Sequence, residues 1–269
     1  MTRKTVVITG AGSGIGRKLA LEAAKRDYAL ILVGRRPETL AETRQLLGDD
    51  TCKCIAADVT TPAGRALIRA AAGDRLDILI NNAGTLSVGA LEVLDDDALN
   101  AMLMTNIGAP IALSRDLLPE LRAAKGRVVN IGSVFGDIAY PYFTAYSATK
   151  FALRGFSDGL RRELWGEGVG VTYIAPRATK TGATDAFAAL VAPMDMALDE
   201  AAVVARQAWD AIEAGRREAF PRGKERLFVF IQRLLPRLID RSVGAQARSP
   251  AVKSALAKAG VLNKQQSDT

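Results

Sequence analysis

Six times along this chain a short β-branched or aliphatic run is followed by a longer stretch with helical spacing of its apolar residues. The runs are Thr5 to Thr9, Ala29 to Val33, Cys52 to Ala57, Leu76 to Ile80, Arg127 to Ile131 and Val169 to Ala175. Two of the intervening helices open at Pro37 and Pro62, where proline suits the first turn. One long helix runs through Met102, Ile107, Leu113 and Leu117, and others span Ala145 to Trp165 and Glu200 to Ala214. Glu218 to Phe220 adds a short seventh strand. Strands that alternate with helices of this length predict a mostly parallel sheet covered on both faces, a doubly wound α/β fold. One domain is expected over residues 1–221, with a basic, helical C-terminal extension over 222–269 whose end, Asn263 to Thr269, reads as frayed.

Composition narrows the chemistry. Of 269 residues, 49% are apolar and 24% charged, a balance that buries a core and excludes disorder. No apolar stretch is long enough to cross a membrane, since Ala186 to Leu198 is short and broken by Asp195. Val6 to Ile8 is too short for a signal-peptide core, so a cytoplasmic location is expected. The chain has no histidine, which rules out imidazole bases and His-containing zinc sites, and Cys52 and Cys54 are too few for a Cys-only metal site. Acid–base work falls to Tyr, Lys, Asp, Glu or Ser. The net charge of +7 is unevenly placed: 24 basic and 25 acidic residues precede Gly215, whereas 12 and 4 follow from there. A basic tail without a recognised motif or aromatic cluster beside its charges does not read as a nucleic-acid module.

Between the first strand and helix lies Thr9-Gly10-Ala11-Gly12-Ser13-Gly14-Ile15-Gly16, spaced T-G-x-x-x-G-x-G. Glycines there let backbone approach a pyrophosphate, and the helix N-terminus offers free N–H donors, so Gly10, Ser13, Gly14, Ile15 and Gly16 are candidate dinucleotide contacts. A merely tight turn is the plainer alternative. The second strand ends in Gly34-Arg35-Arg36, where an acid would select NAD(H) through its ribose hydroxyls. Guanidinium groups instead suit the extra phosphate of NADP(H), which is expected to be preferred, with Arg35 the first contact and Arg36 the second. The competing reading is two arginines opening a solvated helix. Asp58 and Val59 after the third strand, and Asn82, Ala83 and Gly84 after the fourth, extend the groove along the carboxyl edge of the sheet.

Tyr146 and Lys150 stand one helical turn apart on a common face. A neighbouring cation favours phenolate and moves a tyrosine, with its ordinary pKa near 10, toward acid–base use. With the glycine turn, Asn81-Asn82-Ala83-Gly84, Asn106 and Ser133, in that order and spacing, the chain resembles the short-chain dehydrogenase/reductase family, in its single-domain branch of about 250 residues. The resemblance covers about residues 5–221 and implies a Rossmann-like, nicotinamide-dependent oxidoreductase acting on a carbonyl or alcohol. It implies Tyr146 as general acid or base, Ser133 as the holder of the substrate oxygen, Lys150 as the group lowering the Tyr146 pKa and gripping the nicotinamide ribose, and Asn106 as holder of a relaying water. It also places Pro176 and Thr181 near the nicotinamide. Arg177 stands where the family usually has glycine, so a strained turn or a different loop path is expected there.

Two apolar segments, Val134 to Phe143 and Thr181 to Leu198, flank the expected nicotinamide and point to a hydrophobic substrate, a fatty acyl, steroid-like, terpenoid or aromatic compound; packing against the body or a second subunit explains them equally well. In the extension, residues 227, 231, 234, 235 and 238 form an apolar stripe, with Arg226, Arg233, Arg237 and Arg241 largely off it and Pro236 ending a first helix. That stripe either caps the domain or rests on an anionic membrane surface. The resemblance further implies a homodimer or homotetramer joined through the helices before and after the fifth strand. A non-catalytic cofactor sensor or scaffold on the same fold is the alternative function, but it predicts loss of Tyr146 or Lys150, and both are present.

Overall fold

The structure is a computed structural model that describes residues 3–48, 52–221 and 225–258, without the side chains of residues 225 and 226. Its elements follow the expected alternation: β1 (Thr5–Thr9), α1 (Gly14–Lys25), β2 (Ala29–Gly34), α2 (Pro37–Leu47), β3 (Lys53–Ala56), α3 (Pro62–Ala72) and β4 (Ile78–Asn81). Next come α4 (Asp96–Leu103), α5 (Ala109–Asp116), α6 (Leu118–Ala124), β5 (Arg127–Ile131), α7 (Thr144–Glu163) and β6 (Gly170–Ile174). The chain continues with β7 (Thr179–Lys180), α8 (Ala188–Val191), β8 (Asp199–Glu200), α9 (Ala201–Glu213), β9 (Glu218–Ala219) and α10 to α12 (Glu225–Leu234, Pro236–Ala247, Pro250–Lys258).

Seven parallel strands form one sheet in the order β3-β2-β1-β4-β5-β6-β9. Because helices cover both faces, the strands are apolar on both sides: Val6, Ile8 and Ile80 pack under α1 and α9, while Val7, Leu79 and Val128 pack on the opposite face. Trp209 of α9 is fully buried and donates its indole N–H to the Leu19 carbonyl at 2.9 Å. The order reverses between β1 and β4, so the chain ends leaving these two strands diverge and open a crevice at their carboxyl edge.

The long helix expected before β5 is instead broken. It widens into a π-helical turn over Met104–Gly108 and restarts as α5 and again as α6. Pro110 explains the widening. It has no N–H to offer the carbonyl of Asn106 four residues earlier, so an α-helical path is lost at the position where a candidate site residue sits.

The extension folds back over the body. Val252, Ala255 and Leu256 of α12 bury against Phe143, Leu190 and Met194, and Val229 and Ile239 bury against Ile138. Tyr142 donates to the Ala247 carbonyl at 3.1 Å, and Arg233 pairs with Asp137 at 3.1 Å. Pro236 separates α10 from α11 as expected. The stripe itself needs correcting: of its residues Ile231 packs against the body, half-buried beside the buried Val229 and Ile239, while Leu227, Leu234, Leu235 and Leu238 face outward. The sequence-predicted boundary at residue 222, the side chain of Arg226 and the segment Asn263 to Thr269 lie outside the described residues. Among the described residues, no helix is long and apolar enough to cross a membrane.

Candidate active site

The glycine turn sits in the crevice between β1 and β4. Gly10 and Gly14 take φ of +66° and +51°, which L side chains rarely adopt. A Cβ at Gly16 would overlap the Gly10 carbonyl oxygen, and one at Gly12 would overlap the Thr39 hydroxyl, so bare backbone is required at both. Ser13 caps α1 with extended backbone but makes no side-chain capping bond, leaving its exposed hydroxyl and the first N–H groups of α1 toward the crevice. Ile15 packs partly into the core. Such a bare, donor-rich cradle fits a pyrophosphate.

Thr9 and Asn82, together with Arg17 and Thr43, which sequence reasoning did not single out, hold this turn. The Thr9 hydroxyl accepts from the Asn82 and Ala83 N–H groups at 2.9 and 3.0 Å, and Asn82 Nδ2 donates back to the Thr9 carbonyl at 2.8 Å. The Asn82 side chain is therefore spent on fastening the loop after β4 to the glycine turn. Arg17 donates to the Gly12 carbonyl at 2.5 Å and to Thr43 Oγ1 at 3.0 Å, while Thr43 donates to the Ala11 carbonyl at 3.0 Å. Only distance in space, absent from a linear motif, links these residues.

Arg35 and Arg36 are exposed at the carboxyl end of β2. Asp58 accepts from the Thr60 hydroxyl and N–H at 2.7 and 2.9 Å; these bonds, with the positive charge of Arg35 nearby, hold its carboxyl below the usual range. Val59 is buried in the core, which leaves its main chain alone at the groove.

At the other end of the crevice, the β5 end and α7 bring Ser133, Tyr146 and Lys150 together. The Ser133 hydroxyl, which accepts from Phe135 N at 3.1 Å, draws the pKa of the Tyr146 phenol down, but burial of that phenol outweighs it and pushes the pKa up to about 12. Lys150 Nζ donates to the Ile131 carbonyl at 3.0 Å and lies 5.5 Å from the Tyr146 ring centre. Burial lowers the Lys150 pKa to about 8. The lowering expected from Lys150 is not found at Tyr146, where burial dominates and only Ser133 opposes it, so the phenol stays a proton donor at neutral pH. Behind Ser133, the Tyr173 hydroxyl donates to the Ser133 carbonyl at 3.2 Å, and its ring fills space that side chains at Gly132 or Gly136 would need.

Asn106 is buried: its side chain accepts from Thr85 N at 2.9 Å and donates to Thr85 O at 2.8 Å and Thr149 Oγ1 at 3.0 Å. It ties the loop after β4 to α7. A Cβ at Gly84 would stand 3.2 Å from Asn106 Oδ1 and 3.9 Å from Lys150 Nζ, which places that loop beside both. Under the site runs a buried chain from Ser114 and Asn81 to Asn130 (2.9 Å) and on to Ser157 (2.8 Å).

The loop after β6 carries Pro176, Arg177 and Thr181. The strain expected at Arg177 is absent, for its φ is not positive. Its guanidinium instead meets Asp199 at 2.7 Å and fastens the loop to β8, which pairs with β7. The Pro176 carbonyl accepts from Val134 N at 3.0 Å. Thr181 Cγ2 lies 3.1 Å from where a Gly14 Cβ would be, so the loop closes the crevice over the glycine turn.

A family model described as short chain dehydrogenase matches residues 4–190. Oxidoreductase UcpA of Escherichia coli is 35% identical over 82% of this chain and 88% of its own length. A short-chain dehydrogenase from Sphingobium yanoikuyae in complex with NADPH superposes with a TM-score of 0.73 at 27% identity, covering 88% of this chain and 96% of that one. A short chain dehydrogenase/reductase from Burkholderia phymatum in complex with NAD gives a TM-score of 0.79 at 25% identity, covering 88% and 95%.

Proposed function

Because the chain belongs to the short-chain dehydrogenase family, whose members are nicotinamide-dependent oxidoreductases, we propose that it uses NADP(H) to interconvert a hydrophobic carbonyl and its alcohol. The observation that carries this reading is the meeting of Ser133, Tyr146 and Lys150 at the same crevice as the glycine cradle. The Ser133 hydroxyl donates to the substrate carbonyl oxygen and polarises it. Tyr146, kept protonated well above neutral pH by its burial, gives its proton to that oxygen as negative charge grows there. Lys150, fixed by the Ile131 carbonyl, places a positive charge that stabilises the phenolate left behind. The hydride would come from the nicotinamide when that cofactor is bound. Gly10, Gly14 and Gly16 would hold its pyrophosphate, with Pro176 and Thr181 over it, and Asp58, Val59, Ala83 and Gly84 along its length.

Arg35 and Arg36 support the NADP(H) preference, since no carboxylate ends β2. The double substitution Arg35→Ser with Arg36→Ser should raise the KM for NADPH by about 10- to 100-fold, the worth of one or two charge-assisted hydrogen bonds, and leave NADH almost unchanged. Equal loss with both cofactors would remove the basis for the preference.

A hydrophobic substrate is supported by the apolar character of the two segments that flank the site, Val134 to Phe143 and Thr181 to Leu198, although Phe143, Leu190 and Met194 are themselves buried against Val252, Ala255 and Leu256. The same reading places the enzyme in the cytoplasm, with Cys52 and Cys54 reduced, and as a homodimer or homotetramer whose contact includes Leu103, Met104, Ile111 and Phe151, exposed on α4, α7 and the segment between them. It also lays the exposed apolar face of α10 and α11 on an anionic membrane: Leu227, Phe230 and Leu234 are 59 to 61% exposed, beside the exposed Arg237 and Arg241. Full-length protein should float with anionic vesicles and not with neutral ones, and Leu234→Glu with Leu238→Glu should abolish flotation. Unaltered flotation of that variant would refute the contact.

A further inference from the structure

At the opposite, amino edge of the sheet lies a groove of about 810 Å³, remote from the glycine turn and from Tyr146. Its lining includes Lys4, Lys125, Arg127, Arg161 and Arg217. Its acids, Asp77 and Glu213, are already engaged: Asp77 accepts from Thr5 N at 2.9 Å and pairs with Arg75 at 3.0 Å, and Glu213 is met by Arg26 and Tyr28. Arg161 is likewise held by Asp158, at 2.5 Å. Among the described residues, Lys4, Lys125 and Arg127 have no carboxylate partner. These cations, Lys4 and Lys125 exposed and Arg127 half-buried, give the groove a positive potential that suits an anion.

Two local features show that the backbone is arranged around these cations. Arg127, at the start of β5, gives Nη1 to Thr172 Oγ1 at 2.8 Å, and the rest of its guanidinium lies against bare backbone. A Cβ at Gly170 would stand 2.7 to 2.8 Å from its Cζ and both terminal nitrogens, and one at Gly215 3.3 Å from Nη2, so glycine at both positions makes the room. Its hydration loss lowers its pKa with no carboxylate to offset it. Lys125 ends α6 in the left-handed conformation at φ +50°, where glycine ordinarily stands and a lysine is disfavoured. Its side chain runs over Gly168, and Gly126 follows it. Lys125 thus carries a conformational cost and makes no ion pair among the described residues, which leaves its charge available to a ligand.

We infer that this groove is a binding site for a small multivalent oxyanion, a phosphate- or carboxylate-bearing metabolite, gripped by Arg127 and Lys125. The guanidinium presents its planar fork to two oxygens, and Lys125 and Lys4 supply point charges. The inference stands independently of the oxidoreductase reading.

Trp165 at the rim is 85% exposed and Trp209 fully buried, so fluorescence changes on binding report the rim tryptophan. Full-length protein is titrated with pyrophosphate and, separately, with citrate, by tryptophan emission and by calorimetry. Saturable binding of either anion is expected, and the tighter of the two identifies the oxyanion type. Arg127→Gln and Lys125→Gly should each weaken it by about tenfold or more. Gly16→Ala, at the other edge of the sheet, should leave it intact. Lys125→Gly is decisive if Arg127→Gln folds poorly, because glycine relieves the left-handed residue and the variant should melt no lower than the parent. No saturable binding of either anion up to about 10 mM, binding unchanged in both groove variants, or binding lost only in Gly16→Ala would each overturn the site.

Discussion

Tyr146→Phe lowers kcat/KM for carbonyl reduction by roughly 10³-fold, because removal of a positioned proton donor forfeits general-acid catalysis worth about 10² to 10⁴. The ring survives the change, so Phe135 and Tyr146, whose centroids lie 6.3 Å apart edge to face, keep their packing and thermal stability stays close to that of the parent. Cofactor affinity should also hold, which separates a lost acid from a lost fold. The pH profile supplies a second readout. With the phenol protonated up to about 12 and Lys150 titrating near 8, reductive kcat/KM should fall above pH about 8, when the lysine loses the charge that stabilises the nascent phenolate. Below that pH the lysine is charged and the profile is flat. Steady-state kinetics from pH 6 to 10 against an aromatic or long-chain ketone check both; activity persisting in the Phe variant would remove Tyr146 from the role of acid.

Gly16→Ala weakens cofactor binding by about 100-fold or more, an overpacking cost of about 3 kcal/mol concentrated at the cradle. The added methyl would overlap the Gly10 carbonyl oxygen and crowd Asn82 Nδ2, and both are held: Gly10 by its left-handed turn, Asn82 by its bond to the Thr9 carbonyl. Relief therefore requires shifting the loop after β4, which carries Gly84 and, through Thr85, Asn106. The damage should reach kcat as well as KM. Calorimetric titration with NADPH and NADH measures the first effect, and comparable losses for both cofactors are expected because the pyrophosphate is common to them. Wild-type affinity in this variant would mean that the turn does not carry the cofactor.

Much of the site could be read along the chain because its chemistry depends on short spacings. The i, i+4 pairing of Tyr146 and Lys150, the glycine run between a strand and a helix, and Ser133 just past a strand are each fixed by one local period. What escaped sequence reasoning depends on residues far apart. Tyr173 behind Ser133, Arg17 and Thr43 around the glycine turn, and the Asn81–Asn130 pair become partners only when strands and helices are adjacent. Arg177 shows the same divide: read beside its neighbours it predicts a strained turn or a different loop path, and the sequence alone does not show that its φ is not positive and that its guanidinium pairs with Asp199, 22 residues on. The outward turn of Leu234 and Leu238 also followed from packing, since the stripe alone does not say which face the body covers.

The order of residues determined by itself the α/β alternation, the bare cradle and the identities of the groups able to move a proton, because these rest on backbone freedom, helical period and side-chain chemistry. Tertiary structure decided the protonation of Tyr146, the charge balance around Arg127 and the face shown by the tail. Burial and the company of distant charges set those properties, and neither exists until the chain has closed on itself.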